Sequence, residues 1–203
     1  VYLDLSARND WSSTLAYTSH EKSGFFYPSV GFSLIFNKLM TLPRWVSLAK
    51  IRGAYSMVGN DIPMFITNPS SHITAGGEFL ASDAAPFKDM EPEMTHSFEA
   101  GIEARFLKNR IGLNATFYKT NTRNQFFKLP TLSGDKYAYR YVNAGNIQNV
   151  GWEVSLDAVP LLTNHFKWKT EVNFSTNRNK IISLHEALKE FLYGPTSSRP
   201  VMP

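Results

Sequence analysis

Apolar and polar residues alternate along seven segments of this chain, and that period of two constrains the fold more than any other feature of the sequence. Successive side chains of a β-strand point to opposite faces of a sheet, so each alternating segment is predicted to be a strand with one apolar and one polar face. The segments lie at residues 1–8, 29–36, 49–57, 94–106, 111–118, 152–158 and 166–175. An all-β fold is therefore expected.

The connections between these predicted strands alternate in length. They measure roughly 16, 12, 35, 4, 29 and 6 residues, with strand ends good to a few residues. An up-and-down antiparallel barrel in an outer membrane has tight periplasmic turns and long extracellular loops, which gives this alternation. A Greek-key sandwich has no reason to maintain it. The pattern therefore favours a transmembrane barrel over a soluble sandwich or barrel, which stays open as the alternative.

The polar face of the predicted strands carries charges of both signs. A Lys or Arg that faces hydrocarbon at mid-bilayer costs about 2 to 4 kcal/mol, so these residues are expected to face a wet lumen. Aromatic residues such as Tyr55 and Trp168 lie near strand ends on the apolar face, where an interfacial girdle would need them. The predicted lumen-lining residues are Lys50, Arg52, Glu99, Glu103, Arg105, Lys167, Lys169 and Glu171.

Two residues on the apolar side, His96 and Thr170, fit a lipid-facing surface only if they lie near its edges.

The composition excludes several kinds of site. The 203 residues include no cysteine, so no disulfide or thiolate metal site can form. The five histidines are each at least 20 positions from the next, so no short metal-binding motif exists, and neither a metal nor a cofactor is expected. The net charge of +4 is spread along the chain, which argues against nucleic acid as a partner. The longest stretch without a charged residue, 62–77, contains Pro, Asn, Ser and Gly and predicts no spanning helix.

One segment departs from the period of two. Residues 183–186 have capping-box spacing, and the apolar stripe that follows predicts a short loop helix at about 184–192. Residues 38–48 could form either a tight turn or a short helical turn.

Six strings of the sequence, in this order and spacing, resemble the barrel of the SusC/RagA family of TonB-dependent outer-membrane transporters. They are residues 6–15 (SARNDWSSTL), 26–30 (FYPSV), 50–61 (KIRGAYSMVGND), 99–106 (EAGIEARF), 117–122 (FYKTNT) and 143–153 (NAGNIQNVGWE). The resemblance implies that residues 1–203 are about seven strands of a plugged barrel of roughly 22 strands. The plug domain, the TonB box and the signal peptide are expected to lie outside this sequence.

The same resemblance implies a function and partners. The parent protein would lie in the bacterial outer membrane and import a bulky nutrient, an oligosaccharide in preference to a peptide, with energy from TonB and a SusD-like lipoprotein as an external lid. For ligand contact we expect loop aromatics and amides, because sugar rings stack on aromatic faces. The candidates are Trp11, Phe25, Phe26, Asn60, Asp61, Tyr137, Tyr139 and Tyr141; each could instead pack the loops together.

Two other functions remain open on the residues alone. A soluble all-β carbohydrate-binding module would use the apolar face as its core and would dissolve without detergent. An enzyme would need paired acids, but Glu99 and Glu103 are four residues apart, about 13 Å along a strand. Glycosidase carboxylates lie within about 9.5 Å, so no catalytic residue is expected.

Overall fold

The computed structural model describes residues 1–63, 65–131, 134–143 and 145–183. This part of the chain forms eleven strands and two single 3-10 turns, at Ser13–Leu15 and Phe36–Lys38. The strands are β1 (Tyr2–Asp10), β2 (Phe25–Ile35), β3 (Val46–Asn60), β4 (His72–Ile73), β5 (Phe79–Leu80), β6 (Glu93–Phe106), β7 (Ile111–Arg123), β8 (Phe126–Pro130), β9 (Tyr139–Asn143), β10 (Asn146–Leu162) and β11 (Lys167–Ser183).

Seven of these strands form one antiparallel sheet in the order β1-β2-β3-β6-β7-β10-β11. Each strand pairs with the next long strand in the sequence, so the sheet is an up-and-down meander, as the alternation predicted. Strands β10 and β11 each contain 17 residues, far longer than the strands of most globular domains. Strands β1 and β11 are the two edges of the described sheet.

The connections lie at opposite ends of the sheet according to their length. Residues 36–45, 107–110 and 163–166 form the short turns at one end. Residues 11–24, 61–92 and 124–145 form the long loops at the other end, and we call these together the loop cap. Strands β4 and β5 form a two-stranded ribbon within the loop cap, and β8 and β9 form another.

Cross-strand register aligns the apolar residues into rows on one face of the sheet, which we call the apolar face. One such row contains Ile51, Ile102, Ala115, Val154 and Phe174, each directly opposite the next. These side chains are not covered by protein: Ile102 is 47% exposed and Phe174 is 62% exposed. A contiguous exposed apolar surface of this kind needs a hydrocarbon environment.

The fully buried apolar residues lie outside the seven-stranded sheet. Leu15, Ile62, Ile66 and Met90, all in the loop cap, form one packed cluster. The sheet itself therefore has no second layer among the described residues, and its stability rests on ladder hydrogen bonds and on the medium that it faces. Among these residues, no helix has the length and hydropathy to cross a membrane.

The sequence-based boundaries need several corrections. All seven strands were predicted, but most run further into the loop cap than the alternation suggested, and β11 extends to Ser183 rather than 175. Phe36 belongs to a 3-10 turn, Phe36–Lys38, rather than to a strand. Of the segment 38–48, only Lys38 lies in that 3-10 turn; residues 39–45 are not helical and Val46 begins β3, so the tight-turn option describes most of the segment. The ribbons β4–β5 and β8–β9 were missed because their short strands carry no alternation. The predicted helix at 184–192 lies outside the described residues.

Candidate functional site

The loop cap has its own hydrophobic core. Leu15 and Met90 are completely buried, and Ile62 and Ile66 nearly so, although they come from two different long loops. Burial of each such side chain stabilises the cap by about 1.5 to 3 kcal/mol. The partly buried side chains packed around this cluster are Phe25, Phe87, Phe126 and Tyr141. All three long loops therefore contribute to one packed body at this end of the sheet.

Asp61 joins two of these loops. Its carboxylate accepts hydrogen bonds from the hydroxyls of Ser12 and Thr14, and from the backbone N–H of Ile62 at 2.8 Å. Burial acts to raise the pKa of Asp61, but these three hydrogen bonds outweigh it and hold the pKa below its ordinary value. The ionised carboxylate thus clamps the loop after β1 to the loop after β3.

Further polar contacts connect all three long loops. The Thr67 hydroxyl donates to the carbonyl oxygens of Thr14 and Ala16, each at 3.1 Å. The side-chain amide of Asn143 donates to the carbonyl of Glu91 at 2.8 Å, and the backbone N–H of Glu91 donates back to Asn143 at 2.9 Å. Backbone groups at loop crossings are therefore paired, as a packed cap requires.

The predicted ligand-contact residues divide into two groups in the structure. Six make packing or polar contacts within the cap or at the strand ends beside it. Phe25 and Tyr141 pack on the buried cluster, Asp61 forms the clamp, and the Asn60 side-chain amide donates to the Glu93 carboxylate at 3.2 Å. The ammonium groups of Lys128 and Lys136 lie 3.6 Å and 5.3 Å from the ring centroids of Tyr139 and Tyr137. Trp11 and Phe26 instead present open aromatic faces, at 69% and 57% exposure. Both rings are accessible to a ligand, and Phe26 lies on the side of β2 that also carries Val30 and Phe32.

The face of the sheet opposite the apolar face carries the predicted lining residues, and we call it the charged face. Lys50 and Glu103 lie directly opposite each other with Nζ and Oε2 3.6 Å apart, and Glu103 is 4.0 Å from Arg105. Arg105 continues to Asp157 at 3.3 Å. This chain of four charges crosses the strands from β3 to β10.

Two glycines allow long side chains to cross a strand on the charged face. Arg52 passes over Gly101 and donates to the Thr116 hydroxyl at 2.7 Å, and a Cβ on Gly101 would lie 2.8 Å from the Arg52 Nε. Gly112 lies beneath the Arg105–Asp157 pair in the same way. Both glycines are explained by this close approach.

The remaining predicted lining residues share the charged face. Glu99 lies opposite Ala54 and Tyr118, and Glu171 lies opposite Asp157 and 3.4 Å from Lys169. Lys167 is two positions before Lys169 on the same strand and therefore has the same side-chain direction. All eight residues thus lie on one face, in the arrangement that the alternation indicated.

A polar concavity of about 300 Å³ lies in the charged face near Arg52, and part of it was missed by the sequence analysis. Its polar lining comes from β3, β7, β10 and β11: Arg52, Asn114, Thr116, Glu153, Ser155, Asn173 and Ser175. Only Arg52 was among the sequence-based candidates. The alternation placed all six of the others on the polar face, but nothing in the sequence shows that these polar residues come together in one concavity.

In the parts of the chain that the structure describes, no group of three or more His, Cys, Asp or Glu side chains could hold a metal ion.

Two polar residues, His96 and Thr170, lie on the apolar face. His96 forms a hydrogen bond with the Tyr55 hydroxyl at 2.9 Å near the loop end of this face. Thr170 lies opposite Ala158, near the short-turn end. Both polar exceptions therefore lie toward the edges of the apolar face.

Comparison with known proteins places the whole sheet in one family. The family model described as TonB dependent receptor-like, beta-barrel matches residues 1–187. The TonB-dependent receptor SusC of Bacteroides thetaiotaomicron is 29% identical over 136 residues, which is 63% of this chain and 13% of that protein. The TonB-dependent receptor P39 of Formosa agariphila is 25% identical over 169 residues, which is 78% of this chain and 16% of that protein.

A solved structure shows the same fold. The RagAB peptide importer in its closed-closed state matches 90% of this chain and 20% of its own with a TM-score of 0.75, at 23% identity. The chain thus spans between about an eighth and a fifth of the length of these relatives. The family match favours the membrane barrel over the soluble carbohydrate-binding module. The chain belongs to the TonB-dependent receptor-like β-barrel family of the bacterial outer membrane, and within it resembles the SusC and RagA receptors.

Proposed function

We propose that the full-length protein imports a bulky nutrient across the outer membrane with energy from TonB, and that the nutrient is an oligosaccharide in preference to a peptide. The observation that carries this proposal is the pairing of a packed loop cap with a polar concavity on the charged face. An external cap can collect a ligand, and a wet polar wall can pass it on. Plug, TonB contact and energy coupling belong to parts of the protein outside this chain.

The charged face supports a lumen that is hydrated and weakly selective. Most of its charges are paired with one another, from Lys50 through Glu103 and Arg105 to Asp157. Pairing leaves the wall close to neutral, so a neutral ligand meets no strong attraction or repulsion. The hydroxyls and amides of the concavity could exchange hydrogen bonds with sugar hydroxyls.

The loop cap supports ligand capture outside the membrane. Trp11 and Phe26 hold exposed rings at the two strand ends that flank the first long loop. Because the loops between them are packed, these rings are held in place before a ligand arrives, which reduces the entropy cost of binding. A SusD-like lipoprotein would cover the cap, as the resemblance to SusC suggests.

An uptake experiment tests both the ligand class and the role of the cap. A strain that lacks the gene is complemented with the full-length protein or with its Trp11→Ala, Phe26→Ala variant, and uptake of neutral oligosaccharides and of peptides of equal mass is followed. We expect oligosaccharide uptake to fall by about tenfold in the variant, the loss of roughly 1.4 kcal/mol of ring contact. Trp45→Ala is the matched control, because Trp45 is 57% exposed but lies at the short-turn end.

Three results would decide against parts of this proposal. Unchanged uptake of every nutrient in the deletion strain would remove the import function. Loss of peptide uptake alone would replace the ligand class, in line with the peptide importer RagAB. If uptake fell equally in the Trp11→Ala, Phe26→Ala variant and in the Trp45→Ala control, the two rings of the cap would have no specific role in ligand binding.

A further inference from the structure

A group of cations lies on the apolar-face side of the sheet, in the row that contains Phe98 and in the rows beyond it, at the loop-cap end. Lys119 on β7 and Arg178 on β11 lie in one cross-strand row, each opposite Val150. Lys180 lies opposite Gln148 in the next row, and Arg123 ends β7 on the same side. We call Lys119, Arg123, Arg178 and Lys180 the basic belt. All four side chains are exposed.

An aromatic run marks where the apolar face ends and the basic belt begins. Phe98, Phe117 and Trp152 contact one another across β6, β7 and β10, with ring centroids 6.4 Å and 5.0 Å apart. Aromatic rings of this kind gather where the hydrocarbon meets the headgroups. Lys119 is two residues beyond Phe117 on the same side of the strand, so its ammonium group lies at the headgroup level.

The distance between aromatic residues at the two ends of the apolar face fits a bilayer. Phe98 and Phe106 lie at opposite ends of the apolar face of β6, eight residues apart. That separation is about 26 Å along the strand and about 20 Å along the membrane normal at a tilt of about 40°, close to the apolar band of roughly 25 Å in such barrels. The belt therefore lies outside the hydrocarbon and on the side of the long loops.

Nothing in the described part of the chain neutralises the belt. Positions that share its side of β6, β7, β10 and β11 include no Asp or Glu, and the described ion pairs involve none of the four cations. Between them lie amides instead: Gln148 donates to Asn121, and Asn121 to Asn146, each at 3.2 Å. Four cations and a chain of amides make a surface suited to anionic oxygen atoms.

We propose that the basic belt binds the phosphate groups of lipid headgroups in the outer leaflet of the outer membrane. Lys119 and Arg178 are two strand spacings apart, about 10 Å, so that both can reach one large headgroup. A lipid fits better than an acidic protein because the four cations lie on the same side of the strands as the lipid-facing apolar residues and directly next to them. The proposal rests on the orientation of the barrel and not on the identity of the transported nutrient.

Lipid-dependent thermal stability tests the proposal. The full-length protein is purified in mild detergent and titrated with diphosphorylated lipid A, with dephosphorylated lipid A of the same acyl chains, and with inorganic phosphate. We expect only the diphosphorylated lipid to raise the unfolding midpoint. Each Lys or Arg near an anionic surface contributes about fivefold in affinity, so the Lys119→Gln, Arg178→Gln, Lys180→Gln variant should bind this lipid more than tenfold more weakly.

Two further variants keep the result interpretable. Lys22→Gln, Lys88→Gln, Lys136→Gln removes the same charge from exposed loop positions and should bind the lipid as the wild type does. Arg178→Gln alone should weaken binding about fivefold and serves if the triple variant fails to fold. The proposal would be overturned if the dephosphorylated lipid or inorganic phosphate raised the unfolding midpoint as much as the diphosphorylated lipid does. It would also be overturned if the diphosphorylated lipid stabilised the triple variant as much as the wild type. Nutrient uptake is a separate readout, so failure here leaves the proposed function standing.

Discussion

The Arg105 guanidinium reaches the Asp157 carboxylate at 3.3 Å although a whole strand, β7, lies between their own strands. The crossing is possible because Gly112 occupies the position between them in the same row. A β-carbon on Gly112 would collide with the Asp157 carboxylate and would lie 2.9 Å from an Arg105 nitrogen. One residue without a side chain thus lets three strands share an ion pair on the charged face.

Gly112→Ala is therefore expected to destabilise the barrel by about 1 to 3 kcal/mol, because the added methyl group forces the pair apart or shifts the strand. The free energy of unfolding of the full-length protein in detergent or lipid measures the effect. Gly76→Ala is the control, since a Cβ there meets no atom nearer than 3.8 Å. Adding Asp157→Ala should restore part of the loss; an unaltered or larger loss would contradict the steric explanation.

The loop cap should loosen without the sheet when its core is reduced. Leu15→Ala removes a completely buried side chain and is expected to cost about 2 to 5 kcal/mol of cap stability. Protease treatment of intact cells should then cleave the long loops faster, while the heat-resistant mobility of the barrel on gels stays the same. Leu39→Ala, at a 54% exposed position of a short turn, should change neither.

Acid should weaken the clamp between the first two long loops. Hydrogen bonds lower the pKa of Asp61 in the folded state, so its ionised form stabilises the cap at pH values above the ordinary value of 3.8. This contribution is lost as the pH falls below 3.8 and through the lower folded pKa. Hydrogen exchange of residues 61–92, corrected for its intrinsic pH dependence, should show the loss.

Asp61→Asn provides the comparison for that experiment. Its exchange at pH 7 should already be faster than that of the wild type, and the difference between the two proteins should shrink only below about pH 3.8. A difference that stays constant down to pH 2 would mean that the carboxylate charge does not hold the clamp.

Two neighbouring residues on β10 should tolerate a new charge to different extents. Val154 lies in the middle rows of the apolar face, and Ser155 lies on the charged face. Val154→Lys should cost about 2 to 4 kcal/mol of folding free energy in a bilayer, whereas Ser155→Lys should cost less than about 1 kcal/mol. The folded fraction in lipid vesicles across a urea series gives both values. Similar costs at the two positions would show that the faces are assigned wrongly.

Sequence reasoning recovered the sheet because the direction of a side chain in a strand is a local property. Alternation around Ile102 and Glu103 is enough to assign one to the apolar face and the other to the charged face. The alternation of long and short connections then predicted that successive strands pair with each other in an up-and-down antiparallel sheet. The ribbons β4–β5 and β8–β9 escaped because strands as short as two or five residues show no period.

The site was less accessible to the same reasoning. Tyr139 and Tyr141 were candidates for ligand contact, with packing between loops as the alternative, and their ring centroids lie 5.8 Å apart within the cap. Asp157 was placed on the polar face without a role, because its partner Arg105 is 52 residues away. An aromatic residue or a carboxylate in a loop looks the same in sequence whether it packs inward or faces water.

The sequence by itself determined which residues lie on which face and, through the alternation of connection lengths, which end of the sheet carries the long loops. Tertiary structure alone decided which residues meet across strands and loops: Arg105 with Asp157 over Gly112, and Asp61 with Ser12 and Thr14. The physical reason is that facing depends on the backbone of one strand, whereas register and loop packing depend on contacts between residues about 50 positions apart.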